Sequence, residues 1–178
     1  MNESNEINKL VKKAVRGNTG AYGQLVHIYQ EYLYRTAYLY VRNEQDALDV
    51  VQDCVLRGYE HIRELRKPEY FKTWLTRILI NCAVGFQKKR FPAVSMDAAG
   101  EVEAEKSASV EEKWDLYEAI DVLPEKYKTV IILKYYNDMK IQEIARAMDI
   151  PEGSVKAYLT RAKQELRSYL KEDYVYAK

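Results

Sequence analysis

The stretch IPEGSVKAYLTRA, Ile150 to Ala162, decides how the C-terminal part of this chain folds. Pro151 has no N–H to donate and Gly153 is a poor helix-interior residue, so one helix must stop here and another begin. Upstream, Ile141, Ile144, Ala145 and Met148 recur at i, i+3, i+4 and i+7. Downstream, Val155, Leu159, Ala162 and Leu166 repeat an apolar face. Two amphipathic helices joined by Asp149-Ile150-Pro151-Glu152 fit a helix-turn-helix, with Ala145 small where the two would cross. Away from that core face Ser154, Lys156, Ala157, Thr160, Arg161 and Lys163. Such a set offers a base-reading cation, methyl contacts, and phosphate contacts at the helix start. Any two helices of a bundle could carry the same faces, so spacing alone leaves the partner open.

Working outward, the chain has 178 residues, of which 47% are hydrophobic, enough for a buried core in one domain or two small ones. Lys plus Arg number 28 against 27 Asp plus Glu, so net charge names no partner. Its distribution says more. Residues 1–90 carry 15 basic and 10 acidic side chains, a net of +5. Residues 91–112 carry one Lys and six acids, a net of −5, and residues 113–178 carry 12 basic and 11 acidic, a net of +1. An acidic strip between a basic and a near-neutral block reads as a boundary. The opening MNESNEINK has no apolar h-region, and no apolar run is long enough to span a bilayer, so a cytoplasmic protein is expected. Cys54 and Cys82 sit among apolar neighbours at helical spacing and read as two buried thiols.

Helical periodicity governs both blocks. The first predicted helix covers roughly Glu3 to Arg16 and ends at Gly17-Asn18. A second runs from about Thr19 to Val41, with Leu25, Ile28, Tyr32 and Leu39 as expected buried positions. A third starts near Asn43, where Asn43 precedes Asp46 as a capping box would, and carries Ala47, Val50, Val51, Cys54, Val55 and Tyr59 inward. HIRELRKPEY is too charged, and too interrupted by Pro68, to continue it. A fourth helix begins near Glu69, with Phe71, Trp74, Leu75, Ile78 and Cys82 on its core face. Residues 91–112 lack a sustained apolar face and read as a flexible linker. Helices then follow over Trp114–Leu123, Glu125–Tyr136, Ile141–Asp149 and Gly153 or Ser154 to about Leu170. The expected fold is all-α: two small helical domains, 1–90 and 113–178, joined by the 91–112 linker.

Catalytic chemistry finds no support. There is no phosphate-binding Gly loop and no H-E-x-x-H, and His27 and His61 stand far apart on different elements. Asp46, Asp49 and Asp53 line one helical side, but no other carboxylates or histidines complete a metal or acid–base site. No cofactor, metal or small-molecule substrate is expected, and the acidic stripe reads as solvated or partner-facing.

LPEKYKTVIILKYYNDMKIQEIARAMDIPEGSVKAYLTRAKQEL, Leu123 to Leu166, resembles region 4 of bacterial RNA polymerase sigma factors, the module that reads the −35 promoter element. DALDVVQDCVLRGYEHI (46–62) and FKTWLTRILINCA (71–83) resemble region 2. Both in order, on a short linker, resemble the small extracytoplasmic-function type. The resemblance implies a non-enzymatic initiation subunit. Asp46, Asp49, Gln52 and Asp53 would dock on core RNA polymerase, where charge would steer and orient the acidic helix. Leu65, Arg66, Lys67, Tyr70 and Asn81 would receive −10 bases that have left the stack. Ser154, Lys156, Ala157, Thr160, Arg161 and Lys163 would face −35 duplex. An anti-sigma factor, membrane-bound in many relatives and released under envelope or other stress, is the implied regulator. Tyr158 departs from the small polar or basic residue frequent in the family, so the −35 preference does not transfer. The rival reading is a stand-alone regulator binding a palindrome as a helix-turn-helix dimer.

Overall fold

A computed structural model describes the backbone of residues 3–90 and 117–176. The expected 91–112 linker and the start of the helix placed at Trp114 lie outside these residues.

The chain enters as α1 (Glu3–Val15) and turns at Gly17, whose φ of 94° is left-handed backbone. Helix α2 (Thr19–Val41) follows, its first turn capped by the Asn18 side chain, which accepts from the Ala21 N–H at 2.8 Å. It ends at Arg42, a left-handed residue with φ 55° whose N–H bonds the Tyr38 carbonyl. Helix α3 (Glu44–His61) is capped by Asn43, which accepts from the Asp46 N–H at 2.9 Å. The Asp46 carboxylate pairs with Arg90 across the bundle. Single 3-10 turns at Ile62–Glu64 and Pro68–Tyr70 bracket the charged loop, and α4 (Phe71–Arg90) begins after the second.

These four helices enclose one apolar core built on Val11, Leu25, Leu33, Tyr40, Val50, Cys54, Phe71, Leu75 and Leu79. Full burial of a Leu or Phe stabilises by roughly 1.5–3 kcal/mol, so this cluster dominates the fold. Burial pushes the Cys82 thiol up to about 12 and the Cys54 thiol higher still, so both stay protonated, uncharged packing residues. Two positions expected inside are not. Ile28 and Tyr59 are each 46% exposed. The Tyr59 ring lies along Tyr22 and its hydroxyl bonds Thr19, so it seals the α2–α3 seam from outside.

Residues 117–121 are helical, and Pro124 halts them and opens α5 (Glu125–Ile131). The expected helix to Tyr136 changes winding at Ile132. Residues Ile132–Tyr136 form a wider π turn, with the Asn137 N–H bonding the Ile132 carbonyl at 3.1 Å. That extra width buries both Ile132 and Leu133 and turns Asn137 inward. Helices α6 (Ile141–Met148) and α7 (Glu152–Tyr176) complete the second cluster around Val130, Ile144, Val155 and Ala162. Helix α7 runs past the expected end at Leu170.

The two clusters touch. Helix α6 packs on α4, and the π turn reaches α2. Asn137 donates to the Tyr32 hydroxyl and accepts from Thr36, both at 3.2 Å. Buried Lys128 bonds Asp121 at 2.7 Å and the Tyr40 carbonyl at 3.2 Å, where the negative end of α2 attracts its ammonium.

Candidate nucleic-acid and polymerase interface

The helix-turn-helix forms as the sequence demands. The Glu143 carboxylate reaches back to the Lys140 N–H at 2.7 Å and fixes the start of α6. Asp149 closes α6 in the left-handed region, φ 57°, and the Ile150 N–H bonds the Ala145 carbonyl at 3.0 Å. Helix α7 then starts after Pro151, with Val155, Leu159 and Ala162 buried. On its opposite side Lys156, Ala157, Thr160, Arg161 and Lys163 are exposed and Ser154 is half-buried. Thr160 donates back to the Lys156 carbonyl at 3.0 Å, which leaves its methyl outward.

Tyr158 does not join that outward row. It is half-buried, and its ring meets buried Tyr127 edge-on with centroids 5.7 Å apart. The Lys126 ammonium lies 5.1 Å from one ring centre and 5.3 Å from the other. A hydrogen bond from Arg161 to Tyr127 keeps the Arg161 guanidinium above the ordinary arginine range. Tyr127, which sequence reading did not single out, packs behind α7 against Tyr158.

Along α3, Asp49 and Gln52 are exposed, whereas Asp46 and Asp53 are partly covered. Burial opposes ionisation of Asp53, but hydrogen bonds from Arg57 and Cys82 outweigh it and hold the carboxyl below its usual range. Arg57 meets Asp53 at 2.9 Å, four residues on. Sequence reading missed two neighbours. Leu48 and Leu56 are 45% and 65% exposed and flank Gln52 at four-residue spacing. An acidic stripe with two bare leucines is built for a partner with a basic, partly apolar face.

The third set splits. Leu65 is buried in the core, so its side chain is not presented to a nucleotide. Arg66 and Lys67 are exposed, and the Lys67 ammonium lies 5.7 Å from the centre of the half-buried Tyr70 ring. Phe71 is wholly buried and Trp74 packs half-buried beside it, ring centroids 5.9 Å apart, so neither is a free stacking platform. Asn81 is exposed on α4 and lines two clefts. One, of about 120 Å³, lies between α3 and α4 with Asp49, Asp53 and Cys82. The other, of about 210 Å³, lies between α4 and the second cluster, with Arg77, Lys126 and Asp149. Across it Arg77 pairs with Asp149 at 3.0 Å. Outside that lining, the Arg146 guanidinium sits 4.2 Å from the Tyr70 ring centre.

Residues 25–90 match the family model for sigma-70 region 2, and residues 113–166 match that for sigma-70 region 4. RNA polymerase sigma factor SigV of Bacillus subtilis is 38% identical over 144 residues, covering 79% of this chain and 86% of the relative. The ECF RNA polymerase sigma factor SigW of the same organism is 29% identical, covering 93% and 97%. Among solved structures, sigma factor RpoE of Bartonella quintana, in complex with the anti-sigma factor NepR, superposes with a TM-score of 0.65 at 21% identity. The match covers 84% of this chain and 96% of that one.

Proposed function

The chain belongs to the extracytoplasmic-function group of RNA polymerase sigma factors, which direct promoter-specific transcription initiation. From that premise we propose how its surfaces divide the work. Residues 1–90 bind core polymerase and receive the melted −10 element, and residues 113–178 read the −35 duplex. The α3 stripe of Asp49, Gln52 and Asp53 meets the polymerase, with Leu48 and Leu56 supplying the apolar contact that charge alone would lack. Asp46 serves more as a staple to Arg90 than as a free docking group.

Arg66, Lys67, Tyr70 and Asn81 form the −10 surface, offering cations for the strand and hydrogen-bonding and aromatic groups for an unstacked base. Leu65 supports that loop from the core. On α7, Lys156 and Arg161 approach base edges and phosphates, Ala157 and the Thr160 methyl supply apolar contacts, and Ser154 and Lys163 meet the backbone. Bond-making belongs to the polymerase, and the protein works in the cytoplasm. An anti-sigma factor that holds it inactive and releases it under envelope or other stress is the regulation the family membership favours.

The observation that carries this reading is the pairing, in one chain, of a bare acidic-apolar helix face with a helix-turn-helix whose outer row is basic. The test is to mix the purified protein with core polymerase and look for transcripts from a defined start. Promoter-dependent run-off product is expected only with both components present. Tight, dimeric binding to promoter DNA by the protein alone, with no product when core enzyme is added, would overturn it in favour of a stand-alone regulator.

A further inference from the structure

Where the helix-turn-helix meets α4 and the turn before it, it presents groups chemically like those of a nucleotide. Asp149 presents a carboxylate to the Arg77 guanidinium, where a strand phosphate would sit. Arg146 lays its planar guanidinium on the Tyr70 ring, where an unstacked base would lie. Asn81 lines the cleft that Arg77 and Asp149 share. Tyr70 and Asn81 belong to the proposed −10 surface, and Arg77 is the cation between them on α4.

We infer that the helix-turn-helix masks the −10 surface of its own chain, using Asp149 and Arg146 as stand-ins for the phosphate and base of the single strand that surface binds. The inference rests on the −10 assignment made above and adds to it a competition between two ligands for one face. A closed chain cannot hold −10 DNA, because Arg77 and Tyr70 are already engaged. The binding-competent fraction is then small, and the apparent affinity for single-stranded DNA falls by that fraction.

The closure is held by more than the mimicry. Asn137 ties the π turn to α2 through Tyr32 and Thr36. Both partners keep a second bond inside the first cluster if Asn137 is lost. Tyr32 retains Thr76 at 2.7 Å, and Thr36 retains the Tyr32 carbonyl at 2.7 Å. Removing Asn137 therefore weakens the joint, leaving the Lys128 bond to the Tyr40 carbonyl, without orphaning a buried polar group on the α2 side. Asp149→Asn is a mild companion change, since asparagine tolerates the left-handed backbone that Asp149 occupies.

The experiment compares the native full-length chain with Asn137→Ala/Arg146→Ala/Asp149→Asn. A second variant, Arg146→Ala/Asp149→Asn, touches only exposed side chains and guards against misfolding of the first. Each is titrated into a fluorescein-labelled single strand carrying the non-template −10 sequence of a promoter the native holoenzyme transcribes. X-ray scattering gives the radius of gyration of each free chain, and thermal melting checks that it is folded. The triple variant should bind the strand about tenfold more tightly than the native chain and the double variant by a smaller factor, each with a larger radius.

Equal affinities would overturn the inference, and so would expansion without gained affinity. If no chain binds the strand while the native holoenzyme initiates normally, the helix-turn-helix is not what excludes DNA, and the inference fails with the functional reading intact. If the native holoenzyme yields no transcript from any promoter, the functional reading fails, and the inference with it.

Discussion

At the scale of single residues, the helix-turn-helix sets an exposed side chain against an aromatic pair behind it. Arg161 faces outward with Tyr127 beside it holding its guanidinium above the ordinary arginine range, and Tyr127 is braced by Tyr158. A base-reading arginine works through its planar fork, which meets a base edge with two parallel bonds. Arg161→Ala is expected to weaken binding to −35-containing promoters by roughly 1–3 kcal/mol, with promoters lacking that element unaffected. Transcription from matched promoters with and without the element would measure it. Tyr158→Phe keeps the ring contact and should leave the promoter preference unchanged. Selection of preferred −35 sequences from a random library by the native and Phe holoenzymes checks that, and a shifted motif would make Tyr158 a base reader after all.

At the scale of helices, local chemistry and packing divide the credit. Asn43 caps α3 through the Asp46 N–H, and nothing else satisfies that donor in the first turn. Asn43→Ala should cost about 1 kcal/mol, read as a lower urea midpoint with an unchanged slope. Gly58, further along α3, lies where α2 and α4 approach. A Cβ there would collide with the Tyr22 hydroxyl and sit 3.3 Å from Leu75. The Tyr22 hydroxyl also donates to the Val55 carbonyl at 2.8 Å, so it cannot yield freely. Gly58→Ala should destabilise by about 1–3 kcal/mol in the same unfolding assay.

The cap at Asn43, the stop at Pro124 and the break at Pro151 were all legible in the sequence, because each is a property of one residue and its nearest neighbours. The exposure of Ile28 and Tyr59 was not, since periodicity marks a face as apolar without saying whether a partner reaches its whole width. The π turn at Ile132 was equally hidden. Nothing in VIILKYY marks a change of winding, and only packing of Ile132 and Leu133 together, with Asn137 against α2, favours the wider winding. The outward row of α7 could be read from spacing, whereas the burial of Leu65 and the packing of Tyr127 behind α7 depend on contacts across helices.

At the scale of the whole molecule, function turns on which charges are left free once the helices have packed. On α3, Asp46 is committed to Arg90 and Asp53 is half-committed to Arg57, so Asp49 and Asp53 carry what remains of the acidic field, beside Leu48 and Leu56. Charge and apolar area should then act on different steps of polymerase binding. Exposed charges steer encounter and are screened by salt, while a buried leucine slows departure. Asp49→Lys/Asp53→Lys is expected to abolish co-purification with core polymerase and to remove the salt dependence of association, with helicity by circular dichroism unchanged because both side chains lie outside the core. Leu56→Ala should leave the association rate alone and speed dissociation by about tenfold, the loss of one buried leucine at the centre of an interface. Real-time binding to immobilised core enzyme at two salt concentrations separates the two. Retained binding by the double lysine variant would move the docking face off α3, and an effect of Leu56→Ala on association alone would make that leucine a bystander to the contact.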